Sequence, residues 1–422
     1  MNRDIEVFVD LDGEACRAGR LWSRTNKGRE SASFEYDEAW VRSKLRFPLE
    51  PLLTIDTGVH HTVPGKPLFG AIGDSAPDCW GRALMKRAER KAAEREGRMP
   101  KTLTEIDFLL MVEDGIRQGA LRFRETGTQE FLANSERIIP PLIELPKLLV
   151  ASERVVEDRD SDEDLRLLLA PGASLGGARP KAAVVDTDGS LSIVKFPHSG
   201  DEYNVELWSG VALSLAARAG IEVPTHRVAD VAGRQVLIVR RFDRVGGTRI
   251  PFLSAMSRIG ASDGEDHSYL EIVDALRQHG SDVSRDLPQL WRRIAFGVLV
   301  SNVDDHLRNH GFLYDVAKGG WRLSPAYDIN PVPIDVRPRV LSMMIDDRDN
   351  SASFDLVLEV GGYFGLRTDD MKLIAGEVAS AISRWREEAG LLGISNSEIT
   401  RMASAFEHDD LRKARDYSSS IR

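Results

Sequence analysis

The segment NVDDHLRNHGFLYD, residues 302–315, holds the residue types and the spacing that a phosphoryl-transfer site needs. Asp304 and Asn309 have four residues between them. In the D-x-x-x-x-N arrangement a carboxylate takes the proton of an attacking hydroxyl and an asparagine amide oxygen holds Mg²⁺. Asp328 lies further on, in LSPAYDINP, where a second metal-binding carboxylate belongs. A transferring phosphoryl group spreads negative charge over its oxygens, so the minimum set is hard oxygen ligands for a divalent cation and one placed base. The spacing also has a plainer reading, because Asp and Asn gather in turns to bond the local backbone.

The upstream half of such a site has candidates as well. PGASLGGARPK, 171–181, contains Gly176 and Gly177, whose backbone N–H groups suit a loop covering phosphates. Lys181 lacks both the preceding glycine spacing and the following Ser/Thr of a Walker A loop, which disfavours a P-loop NTPase. Lys195 ends the apolar run IVKF, as the lysine of a kinase third strand follows its V-A-I, and Glu206 on the next predicted helix is its natural partner. The alternatives are an edge-strand lysine and a solvent-facing glutamate. His306 and His310 stand four apart without the glutamate that zinc-protease chemistry requires, and a phosphohydrolase built on Asp304, Asp305 and His306 is the weaker competing idea. Cys79, in SAPDCWGR, has no assignable histidine helper and reads as a packed thiol.

Elements must bring these residues together. Alternating Ile5, Val7, Val9 and later Ala32, Phe34, Tyr36 predict strands opening the chain. A basic helix is expected from Trp80 to Arg98, either a nucleic-acid contact or a solvated face, then a helix at 104–113 and the strand GALRF. Between 126 and 172, IIPPLIELP and the acidic run VVEDRDSDED read as an exposed connector. Asp188-Gly189 predicts a hairpin between AAVVD and SLSIVKF, a helix follows over Tyr203–Ala219, and THRVADV and RQVLIVRRF flank a turn at Ala232-Gly233. Beyond 252 the pattern is mostly helical.

The 422 residues allow two or three structural units. Fifty-six basic against 66 acidic side chains leave −10, which argues against a surface that is wholly a nucleic-acid or anionic-membrane footprint. Two cysteines cannot make a disulfide framework, and neither a signal peptide nor a spanning segment is evident, so a cytoplasmic setting without membrane association is expected.

Taken in order, GRLWS, ESASFEYDEAW, PLFGAIGDSAPDCWGR, RQGALRF, SLGGARPKA, IVKFP, LIVRRFDR, SNVDDHLRNHGF and LSPAYDINP resemble the HipA family of bacterial serine/threonine kinases, the toxin halves of HipBA-type toxin–antitoxin modules. The resemblance implies a bilobal, protein-kinase-like α+β fold. It would have a β-rich N-terminal subdomain over 1–125, a nucleotide-binding lobe with a Gly-rich loop over 126–245 and a helical catalytic lobe over 246–422. ATP and Mg²⁺ are the implied cofactors. By the same resemblance Gly176, Gly177, Ala178, Arg179, Pro180 and Lys181 cover the phosphates and Lys195 contacts them, with Glu206 as its structural partner. Arg240, Arg241 and Phe242 form the adenine hinge, although Arg240 stands where an acidic residue is common in the family. Asp304 is the implied base, with His306, Leu307, Arg308 and Asn309 completing the loop, Tyr327 beside Asp328, and Asn309 and Asp328 as metal ligands. Ser174 matches the family's autophosphorylated regulatory serine. Implied partners are a protein substrate, glutamyl-tRNA synthetase or another aminoacyl-tRNA synthetase, whose loss arrests growth, and a HipB-like helix-turn-helix antitoxin through which alone DNA is bound. A catalytically silent co-repressor scaffold and a small-molecule phosphotransferase are the alternatives.

Overall fold

The structure is a computed structural model and describes residues 2–133, 139–169 and 177–419. Two compact units emerge, one formed by 1–200, 230–234 and 238–260, the other by 201–229, 235–237 and 261–422.

In the first unit, strands β1 (Asn2–Leu11), β2 (Glu14–Asn26), β3 (Arg29–Tyr36), β4 (Val59–His61) and β5 (Leu121–Glu125) form a sheet of order β4-β3-β2-β1-β5. Ile5, Val7 and Val9 alternate onto one face of β1 and are fully buried, and Glu6, Phe8 and Asp10 between them are buried on the other. β5 pairs antiparallel with β1, so the GALRF segment returns to the strand that opens the chain.

The expected basic helix is α1 (Cys79–Arg95), started by Asp78, whose Oδ1 accepts from Gly81 N at 2.8 Å. Thr104 and Asp107 build a capping box for α2 (Glu105–Met111). The stretch expected as an exposed connector is largely helical instead, as α3 (Leu145–Val156) and α4 (Asp162–Leu169). Asp158, Asp160 and Asp162 have partners on α1, which ties the run to that helix. Asp160, almost wholly buried, takes Arg87 Nη1 at 2.9 Å and Lys91 Nζ at 2.9 Å, and Asp162 takes Arg95 Nη1 at 3.2 Å. Met85, Phe108, Val112, Ile116 and Ala183 form one apolar cluster beneath, so residues on both sides of position 126 share a core. Cys79 is exposed, contrary to the packed thiol expected, because it occupies the first turn of α1 on the outward side.

β6 (Lys181–Val185) and β7 (Leu191–Lys195) form the expected hairpin, with Gly189 at φ +80° in the turn. With β8 (His226–Val231) and β9 (Arg234–Arg240) the strand order is β6-β7-β9-β8, and Ala232 and Gly233 both take positive φ between the last two.

In the second unit, α5 (Val205–Arg218) is capped by Asn204 and is buried along much of its length. Its Trp208 lies against Trp385 and Phe406, the latter two stacked with ring centres 4.6 Å apart, and donates its indole N–H to Glu398 at 2.9 Å. α6 (Tyr269–His279) and α7 (Val283–Leu299) lead to the hairpin β10 (Gly311–Asp315) and β11 (Gly320–Leu323). No helix among the described residues is long and apolar enough to cross a membrane.

Candidate active site

α7 delivers the chain into the candidate loop through Ser301, held at φ +55° with its hydroxyl donating to Ala405 O at 2.9 Å. The next residues part in direction. Asp304 has 62% of its side chain exposed and meets Arg337 Nη1 at 2.8 Å. Asp305 is buried, accepting from Tyr269 Oη at 2.7 Å and pairing with His310 Nε2 at 3.0 Å. Burial opposes the Asp305 charge, but His310 and the Tyr269 hydroxyl hold its carboxyl below the usual range, while burial and Asp305 push the Tyr269 phenol well up. Asp305 is therefore a support beneath the loop, which counts against the phosphohydrolase built on Asp304, Asp305 and His306.

The 3₁₀ turn Leu307–Asn309 carries Asn309 into the interior, where its Nδ2 donates to the Asp304 carbonyl at 3.3 Å. Leu307 is buried, His306 half-buried and Arg308 exposed, with Arg308 Nη2 on Asp263 at 2.8 Å. The DIN segment joins the same cluster. Tyr327 Oη donates to Arg308 O at 2.7 Å, Asn330 N donates to Asn302 Oδ1 at 2.9 Å, and Asn330 Nδ2 donates to Asp328 Oδ1 at 3.1 Å. Asp328 itself sits at φ +58°, the left-handed conformation that Asp tolerates better than bulky residues. A cavity of about 20 Å³, room for one water, is lined by Arg293, Asn302, Asp305, Asn309, His310 and Tyr327. Asn302 and Tyr269 were not singled out by sequence. Asn302 could have been, since it stands in the same motif; Tyr269 gives no local signal.

Asn309 and Asp328 each supply a side-chain oxygen of the type Mg²⁺ prefers. No group of three or more His, Cys, Asp or Glu suited to a metal occurs among the described residues. That sparse set fits an ion that keeps waters and phosphate oxygens in its shell rather than one caged by protein.

The other candidates lie in the first unit, Glu206 excepted. Ser174 and Gly176 fall outside the described residues. Gly177 and Ala178 are exposed, Arg179 half-buried and Pro180 buried. Lys181, expected at the phosphates, is instead inside the protein. Its side chain is 2% exposed, with Nζ at 2.6 Å from Asp78 Oδ2 and 3.0 Å from Gly177 O, because β6 directs it inward. Lys195 ends β7 opposite Lys181 in register and is half-buried; β7 is an internal strand, so the edge-strand alternative falls away. Glu206, in the second unit, is buried at the start of α5, which excludes the solvent-facing alternative.

At the expected hinge, Arg240 is exposed and pairs with Asp188. Arg241 turns inward, its Nη2 2.6 Å from Asp243 Oδ2 with both side chains fully buried, and its backbone N–H donates to Leu191 O at 2.9 Å. Two arginines, Arg241 and Arg244, hold the Asp243 carboxyl far below its usual range against the opposing effect of burial. Any adenine contact in this stretch falls to backbone and to the half-buried Phe242, not to the Arg241 guanidinium.

The family model described as the HipA-like C-terminal domain matches residues 173–385. The chain belongs to the HipA family. The HipA chain of the Shewanella oneidensis MR-1 toxin–antitoxin system, solved with HipB and its operator DNA, is similar over 99% of this chain and 97% of its own, with a TM-score of 0.62 at 14% identity. That likeness is one of fold, and it agrees with the kinase-like α+β class expected. Two curated relatives match at 25% identity: "Putative kinase Y4mE" of Sinorhizobium fredii over 55% of this chain, and a Haemophilus influenzae protein named "Putative kinase" over 38%. The chain spans 61% and 54% of their respective lengths.

Proposed function

We propose that this HipA-family chain transfers the γ-phosphoryl group of ATP to a serine or threonine of a protein. The observation that carries the reading is the paired geometry at 304–309. The Asp304 carboxylate stands in solvent where a macromolecular hydroxyl can reach it, and Asn309, bonded to the Asp304 carbonyl, is held behind it together with the Asp328 segment. On this reading Asp304 orients the hydroxyl and accepts its proton. Asn309 and Asp328 hold Mg²⁺, which would neutralise charge on the phosphates. Lys195 meets the phosphates with Glu206 as its partner, Gly176 to Pro180 cover them, and backbone over Arg240–Phe242, with Tyr327, receives the nucleotide. Ser174 is the regulatory phosphorylation site.

The biological assignment follows the family: a cytoplasmic toxin whose substrate is an aminoacyl-tRNA synthetase, the glutamyl enzyme first, and which joins a HipB-like antitoxin to reach DNA. Similarity to a HipA solved with HipB and operator DNA supports the antitoxin. The test is to incubate the chain with labelled ATP and Mg²⁺ in a lysate and identify the labelled protein. Label on a synthetase that disappears with Asp304→Asn is the expected result. Label on a small molecule alone, or none beyond the Asp304→Asn control, would overturn it.

A further inference from the structure

We infer that Asp78 is a positioning residue for the nucleotide loop, acting through Lys181 to fix the carbonyl of Gly177. The inference rests on the nucleotide-site reading above and assigns Lys181 a different task within it. Asp78 divides its two oxygens between two jobs. Oδ1 accepts from Gly81 N at 2.8 Å and starts α1; Oδ2 takes the Lys181 ammonium at 2.6 Å. The same ammonium donates to Gly177 O at 3.0 Å, and Trp80, in the first turn of α1, donates its indole N–H to Lys181 O at 3.0 Å. The start of one helix thus grips both the side chain and the backbone of the residue that closes the Gly-rich segment.

The physical case is one of burial. Lys181 and Asp78 have side chains 2% and 6% exposed, and an ammonium so far from water is tolerable only with its charge met and its donors used. Burial pushes the Asp78 carboxyl up against the pull of Lys181, so each charge depends on the other. Gly177 has φ +96°, a backbone conformation that L side chains rarely adopt. α1 is in turn fixed by Arg82 on Glu105 at 2.7 Å and by Met85 in the apolar cluster, so the grip has a firm base. Removing the Asp78 charge takes away the carboxylate 2.6 Å from the Lys181 ammonium, and the contact that sets the Gly177 carbonyl is weakened with it.

Asp78→Asn is the informative variant, because Asn also caps helices and nearly matches Asp in shape. MgATP binding to the full chain is measured by calorimetry for the parent, Asp78→Asn, Lys181→Met and the double variant, with amide exchange at Gly177–Lys181 recorded before nucleotide is added. Each single change is expected to weaken MgATP about tenfold, with the double no weaker than either single, since both break one linkage. Exchange should quicken, and kcat at saturating ATP should change less than KM. If Lys181→Met weakens ATP while Asp78→Asn does not, Lys181 touches phosphate directly and the inference fails. Lowered melting temperature with unchanged ATP affinity and exchange would make the pair merely structural and also sink it. A parent chain that binds no MgATP would bring down the nucleotide-site reading itself, a result distinct from either of these.

Discussion

Asp304 and Asp305 are neighbours in sequence with opposite surroundings, one in solvent beside Arg337 and one sealed between Tyr269 and His310. Substitution should separate them. Asp304→Asn is expected to lower phosphoryl transfer by about 10²- to 10⁴-fold with ATP affinity little changed, read by single-turnover labelling and calorimetry. Asp305→Ala instead leaves Tyr269 and His310 without their shared acceptor and should cost about 3 kcal/mol in urea unfolding. Asp328→Ala should abolish the tightening of ATP binding by Mg²⁺; calorimetry showing equal metal dependence in variant and parent would take Asp328 out of the site. The D-x-x-x-x-N pair could be singled out from sequence because both residues lie in one short loop, where Asn309 bonds the Asp304 carbonyl. The function of Asp305 could not, since its acceptor role is defined by a tyrosine 36 residues upstream. Lys181 shows the same limit: a lysine after a Gly-rich run reads as a phosphate ligand, while its contact with Asp78, 103 residues earlier, has no local signal.

At the scale of elements, hairpins were legible because their signals are local: Asp188-Gly189 and Ala232-Gly233 each specify a turn by themselves. The pairing of the 157–164 acidic run with the 82–98 basic helix was not, because it joins segments far apart in sequence, Arg87 and Asp160 being 73 residues apart. Together they neutralise one another, with Asp160 serving Arg87 and Lys91 at once. Asp160→Asn should therefore cost about 1–3 kcal/mol, more than a typical exposed pair, as seen in urea midpoints, because the acceptor is almost wholly buried. The same pairing removes much of the helix's free charge. DNA binding by this chain without an added protein should be weak and fall steeply between 50 and 200 mM salt, and nanomolar, salt-resistant retention in a gel-shift titration would contradict it.

For the molecule as a whole, one buried histidine sets an acid limit on the second unit. Burial and Arg339 drive the His408 imidazole down to about 4, against the weaker upward pull of Asp410. The folded state keeps His408 neutral while the unfolded chain takes a proton below its ordinary 6.5, so this contribution is complete above pH 6.5 and drains away as pH falls toward 4. The loss amounts to about 3 kcal/mol at most, and His408→Gln should flatten the decline of melting temperature between pH 6.5 and 4.5. An equal slope in both proteins would reassign the sensitivity to the carboxylates. Trp80 offers a different kind of handle. Its indole is hydrogen-bonded to Lys181 O at the root of the Gly-rich segment, while Trp22 and Trp40 lie elsewhere in the first unit. Indole emission responds to nearby charge and to the loss of such a bond. The full chain holds seven tryptophans, so the Trp80 signal is the difference between the parent and Trp80→Phe as MgATP is added, an optical gauge of the loop that needs no dye, label or coupled assay.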